Sequence, residues 1–214
     1  MGLKELNEIS DLIKKEVEAT VQDEVKSAIS AFGSIINRDR MRHYGILPVY
    51  ASSPITTGWR MYSMLENAGV QSLEELKAID PEVRSKLIKA NIDDGIEFGD
   101  DIRAQGHPIV IVPGVFFAKY WTQEHYMGLW EPIIVDDSDI VGYNSRFHYS
   151  DGCVEEFLIG LREDKQLRRR EGFSVISPKD EIPKLEDAMR HIEKITGVTP
   201  PKLYNSYQKI IKLI

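Results

Sequence analysis

Four short apolar runs recur along this chain, each separated from the next by residues with helical spacing, and that alternation restricts the fold more than any other feature. Ile46–Ala51, Ile109–Val112, Asp139–Tyr143 and Phe173–Ile176 each have the length of a buried strand and are bounded by Gly, Pro or Ser punctuation. Between them, Met61–Ala68, Glu82–Ala104 and the stretch from Cys153 onward carry apolar residues three and four apart, the signature of helices with one buried face. Strands separated by helices predict a doubly wound α/β fold, a Rossmann- or flavodoxin-like parallel sheet of four to five strands covered on both faces. In such sheets ligands bind beyond the carboxyl ends of the strands, where strand order reverses.

Three regions follow. Residues 1–43 read as a long amphipathic helix and a basic connector: Leu3, Leu6, Ile9, Ile13, Val17, Val21, Val25 and Ile29 repeat at helical spacing up to Phe32, with Gly33 as the stop. Its apolar stripe needs a covering surface, either a second copy of the chain, making a homodimer or higher homo-oligomer, or its own domain. Its polar face mixes both signs, unlike the Lys/Arg-rich face of a membrane-surface helix. Residues 44–178 hold the sheet, interrupted at Val70–Pro81 by a turn and short helix for which Ser72 and Glu75 offer a capping box. Residues 179–214 form a helical extension, and Arg168–Arg170 read as a cationic cap at a helix C-terminus.

The 214 residues, 42% of them hydrophobic, suffice for a real core. A net charge of −7 with dispersed cations argues against polymeric nucleic acid as a partner. One cysteine, Cys153, excludes an internal disulfide and a cysteine zinc site. His125 has no second ligand at metal spacing, so neither a metal nor another cofactor is expected. No run spans a bilayer and Met1–Gly2–Leu3 opens no signal peptide, which makes a reducing cytoplasm the expected home and leaves no membrane partner.

Chemistry concentrates in two loops that this fold would bring together. Ser52–Ser53–Pro54–Ile55–Thr56–Thr57–Gly58 follows the first strand with hydroxyls and backbone donors suited to a sugar or phosphate. Asn144–Gly152 follows the third strand and leads into a helix whose first turn should contain Glu155 and Glu156, where free N–H groups stabilise ionised carboxylates. Acids at a helix start are common, so these two gain meaning only through the facing loop.

Three segments together resemble the nucleoside 2-deoxyribosyltransferase-like superfamily of nucleoside and nucleotide N-glycosidases. Tyr50–Ala51–Ser52–Ser53–Pro54 is similar to its opening strand and loop, Ser138–Asp139–Ile140–Val141 to its small-Asp-apolar-apolar strand, and Ser150–Asp151–Gly152–Cys153–Val154–Glu155–Glu156 to its nucleophile turn. The glycine stands four residues before the nucleophile in that pattern, so the resemblance selects Glu156 over Glu155. Serine stands where many members have a glycine before the loop proline. The resemblance implies a small nucleoside or nucleotide as partner and cleavage of its N-glycosidic bond, by hydrolysis or by transfer of the sugar to another base. It further implies that Tyr50 orients Glu156. Asp139 is the expected proton donor, its pKa raised by a neighbouring acid. Ser52, Ser53, Pro54, Gly58, Arg60, Tyr149, Ser150 and Gly152 are the expected binding residues; Arg146 is an alternative charge partner, and Trp59, Trp130 and Tyr143 are candidates with Tyr149 for stacking on the base. A non-catalytic nucleotide-binding or sensing module is the rival reading.

Overall fold

The computed structural model describes the backbone of residues 3–214 and the side chains from Val17 onward. The chain is a doubly wound α/β fold: β1 (Val49–Ser52), β2 (Val110–Ile111), β3 (Ile140–Tyr143) and β4 (Gln166–Arg169) form one parallel sheet in the order β2-β1-β3-β4. Connections leave β1 toward β2 on one side and return to β3 on the other, so the switch point lies between the carboxyl ends of β1 and β3.

Side-chain alternation gives the two faces different partners. Val49, Ala51 and Ile140 pack with Phe98 and Ile102 of α5 (Val83–Ala104). Tyr50, Val141, Tyr143 and Leu167 face the opposite layer, where they join Val154 and Phe157 of α7 (Asp151–Arg162) and Trp130 of α6 (Gln123–Pro132) in the largest cluster. Gly160 lets α7 approach: a Cβ there would stand 2.7 Å from Leu167 Cδ2 and 3.1 Å from Tyr143 Oη.

The long first helix, α1 (Leu3–Ile36), runs beyond Gly33, because a glycine costs a helix only about 1 kcal/mol and packing outweighs that. Val21 and Val25 are buried, Phe32 meets Phe116 and Trp130 edge-on at 6.2 and 5.8 Å, and His125 Nε2 lies 2.8 Å from Glu18. From Val21 to Phe32 the stripe is therefore covered by the chain's own domain, whereas Val17 is exposed. The apolar positions Leu3, Leu6, Ile9 and Ile13 lie outside the described side chains, as Met1 and Gly2 lie outside the described backbone.

A short helix, α2 (Arg38–His43), follows, then β1, then α3 (Trp59–Ala68) and α4 (Leu73–Ile79). Ser72 caps α4 by accepting from Glu75 N at 3.2 Å, while the Glu75 carboxylate accepts from Gln71 N rather than closing a full box. The extension forms α8 (Pro178–Thr196) and α9 (Pro201–Leu213), whose Leu185, Met189, Ile192, Leu203, Tyr207 and Ile210 belong to the same core cluster as α7.

Two expectations change here. Residues 168–170 do not cap a helix: Gln166–Arg169 is the edge strand β4, paired with β3 from Ile140↔Gln166 to Tyr143↔Arg169. Phe173–Ile176 reaches the sheet only through an Arg168–Val175 bridge, because the tight turn at Glu171–Phe173 reverses the chain there. No described helix is long and apolar enough to cross a membrane.

Candidate functional site

Strand geometry sets the centre of the site. Tyr50 and Ser52 are two apart on β1 and share the face toward α7. The Tyr50 hydroxyl donates to Glu156 Oε1 at 2.6 Å, and the Ser52 hydroxyl donates to Oε2 at 2.5 Å. From β3, the Tyr143 hydroxyl donates to the backbone carbonyl of Glu156 at 3.1 Å. Both carboxylate oxygens are thus held at the switch point, and Glu156 is only 7% exposed. Glu155, the next position on the helix, is exposed.

The expected first-turn stabilisation does not govern this carboxyl. Ser150 caps the helix, accepting from Cys153 N at 3.5 Å, so α7 begins at Asp151 and Glu156 falls in its second turn, beyond the strongest effect of the helix end. Burial dominates instead and raises the Glu156 carboxyl from 4.5 to about 7 against the hydrogen bonds from Ser52 and Tyr50. Burial, with Glu156 beside it, holds the Tyr50 phenol well above its usual range, which keeps it protonated and donating. Burial and the same carboxylate push the Cys153 thiol up to about 12. A thiol that stays protonated is a poor nucleophile.

Asp139 does not join this centre. It precedes β3, its backbone N–H donates to Pro48 O before β1, and its Oδ1 accepts from Arg42 Nε at 2.7 Å with Arg38 Nε 3.7 Å away. Residues ahead of a parallel strand lie at its amino end, opposite the ligand end. Asp139 therefore ties α2 to the base of the sheet, and its expected role as proton donor is corrected.

The loop after β1 is shaped from α5. Asn91, buried on that helix, donates to the carbonyls of Ile55 and Thr57, both at 3.0 Å, and accepts from Arg60 Nε at 3.1 Å. Gly58 has φ +96, and a Cβ there would strike Pro54 at 2.7 Å, so the turn needs glycine. Ser53 Oγ is buried next to Gly95 without a partner among the described residues. At the end of β3, Asn144 donates to Asp94 at 2.9 Å and accepts from Arg170, which also pairs with Asp94 and Asp101.

A cleft of about 520 Å³ opens at the carboxyl end of the sheet, toward β4, between Asn144–Tyr149 and α8. Tyr143 borders it and Glu156 does not. Trp59 lies on its wall with Tyr149 edge-on at 4.9 Å, whereas Trp130 and Tyr143 are core residues, 3% and 0% exposed. Of the expected stacking residues, Trp59 and Tyr149 therefore reach the cleft wall. Ser150 serves the helix cap, Gly152 lies next to Gln123, and Arg60 serves the loop through Asn91.

Sequence reasoning missed the inner wall of this cleft. Glu181, 1% exposed, binds His148 Nε2 at 2.6 Å through Oε2, and Arg169 and Lys184, each at 2.9 Å, through Oε1. Burial alone would raise the Glu181 carboxyl, but His148 and Lys184 together hold it below its usual range. Nothing local in the sequence signals a pair 33 residues apart. No cluster of potential metal ligands occurs among the described residues. Comparison of the chain with protein-family models, with curated proteins and with solved structures finds no match in any of the three.

Proposed function

We propose that the chain cleaves the N-glycosidic bond of a (deoxy)nucleoside or nucleoside monophosphate, with Glu156 as the nucleophile and either water or a second base as acceptor. The observation that carries this reading is the Glu156 carboxylate at the switch point, with Tyr50 on one oxygen and Ser52 on the other. The resemblance of Tyr50–Pro54 and Ser150–Glu156 to the deoxyribosyltransferase-like pattern supports it. Cleavage of the bond builds positive charge on the sugar, which an adjacent carboxylate stabilises and then traps as a glycosyl ester. A carboxyl raised to about 7 is roughly half ionised at neutral pH, so an attacking fraction is present there. With Asp139 at the far end of the sheet, the departing base takes its proton from solvent in this reading. Rates should then rise steeply with the acidity of the leaving base.

The test is release of free base from a panel of nucleosides and monophosphates, followed by chromatography with and without an acceptor base. Glu156→Gln should remain folded and release none; turnover equal to wild type would refute the assignment. The second reading, a nucleotide-binding module without turnover, is favoured by one observation: the second carboxylate expected opposite Glu156 is tied to Arg42 and Arg38 instead. Ligand-induced thermal stabilisation with no free base would select it.

A further inference from the structure

We propose that the cleft between Asn144–Tyr149 and α8 is a binding site for a small aromatic phosphate monoester, separate from the Glu156 centre and independent of the glycosidase reading. Its volume of about 520 Å³ suits a small organic molecule. The positive charge comes from three side chains. Arg169 and Lys184 converge on one buried carboxylate, Glu181, leaving that group one positive charge in excess. Arg146 adds another: its guanidinium lies 4.0 Å over the Trp59 ring, and it makes no ion pair among the described residues. Stacking on an aromatic face fixes a guanidinium while leaving its in-plane N–H donors free for an oxyanion. Two other carboxylates border the cleft. Asp187 is paired with Arg190, and Glu171 accepts from the Ser145 hydroxyl at 2.5 Å. Three cations, Arg146, Arg169 and Lys184, thus meet three carboxylates, Glu171, Glu181 and Asp187, along the cleft, and Arg190 on Asp187 leaves one positive charge in excess, against the −7 net charge of the whole chain.

His148 supplies a directed polar atom. Its ring stacks on Phe147 at 4.0 Å, and its Nε2 faces the ionised Glu181, which assigns the ring proton to that nitrogen. Nδ1 has no partner among the described residues and is not among the polar atoms sealed from solvent, so it opens to the cleft that His148 lines. A phosphate monoester can donate its P–O–H to this nitrogen as a monoanion while its other oxygens accept from Arg146 and Lys184. Tyr149 and the outer face of the Arg146 guanidinium, itself backed by the Trp59 ring that also stacks on His191 at 5.3 Å, form the wall for the organic group. Arg146 holds its place with a backbone φ of 58, a conformation that an arginine rarely adopts.

Phenyl phosphate is the probe, because it has the ring and the phosphate but no glycosidic bond, and titration calorimetry on the full chain measures it. Wild type should bind it saturably and more tightly than either phenol or inorganic phosphate. Arg146→Ala and Lys184→Met, both at exposed side chains, should each weaken it by about tenfold or more. Glu156→Gln should bind it as wild type does. Absence of saturable binding, wild-type affinity in both cation variants, or equal affinity for phenol would overturn the oxyanion assignment. Equal affinity for inorganic phosphate would overturn the aromatic wall, and loss of binding in Glu156→Gln would overturn the separateness of the two sites.

Discussion

Glu156→Gln tests the central geometry by stability alone, whatever the chain catalyses. The folded protein holds this carboxyl's proton up to about pH 7, whereas an unfolded chain releases it near 4.5. Across that interval the folded state binds more protons, so rising pH destabilises the fold, and above it the loss is complete. Between about pH 5 and pH 8 the loss works out at about 2 to 3 kcal/mol, or about 5 to 10 °C in Tm for a chain of this size. Glutamine has no charge to desolvate, and its amide can accept from one of the two hydroxyls and donate to the other. The variant should therefore resemble wild type at the acid end and exceed it increasingly as pH rises. Urea denaturation followed by circular dichroism at both ends of the range measures the gap, and titrations common to both proteins cancel in the difference. A gap that stays constant, or narrows with rising pH, would refute the claim that burial outweighs the hydrogen bonds at this carboxylate.

Further outcomes follow from other contacts. Tyr50→Phe removes one of the hydrogen bonds that lower the Glu156 pKa, so the acid limb of a pH–rate profile for base release should move upward by about one unit, with turnover near pH 7 about fivefold lower. Asp139→Ala should cost about 1 to 3 kcal/mol in a denaturant titration by leaving Arg38 and Arg42 without their carboxylate, yet leave base release unchanged. Gly160→Val drives a side chain into Leu167 and the Tyr143 hydroxyl, and a thermal melt should show about 1 to 3 kcal/mol of overpacking.

Where the sequence was readable, a physical signal was local. β1, β2 and β3 are short apolar runs closed by Gly, Pro or Ser, and their order along the chain with intervening helices was enough for a parallel sheet. The fourth strand was unreadable for a matching reason. Gln166–Arg169 is an edge strand with Leu167 as its only buried residue, so it carries no apolar run, whereas Phe173 and Ile176 imitate one by filling the core beside the sheet. Glu156 came from the resemblance, whose pattern sets the nucleophile four residues after the glycine, here Gly152, a count within one short segment. Asp139 misled because its motif was read without the direction of the strand it precedes. The Glu181 cluster and the Asn91 contacts join segments that only the tertiary fold brings together, and no window of sequence contains either.

The two hydroxyls that hold Glu156 come from one strand, with Ala51 between them on the opposite face. A slip of β1 by a single residue against β3 would rotate both away together and present the apolar alternates, Val49 and Ala51, to the carboxylate. Against a one-residue slip the grip on Glu156 is all-or-none, because both hydroxyls leave together. Pairing of the central strand with the correct face toward α7 and assembly of the carboxylate site are then a single event.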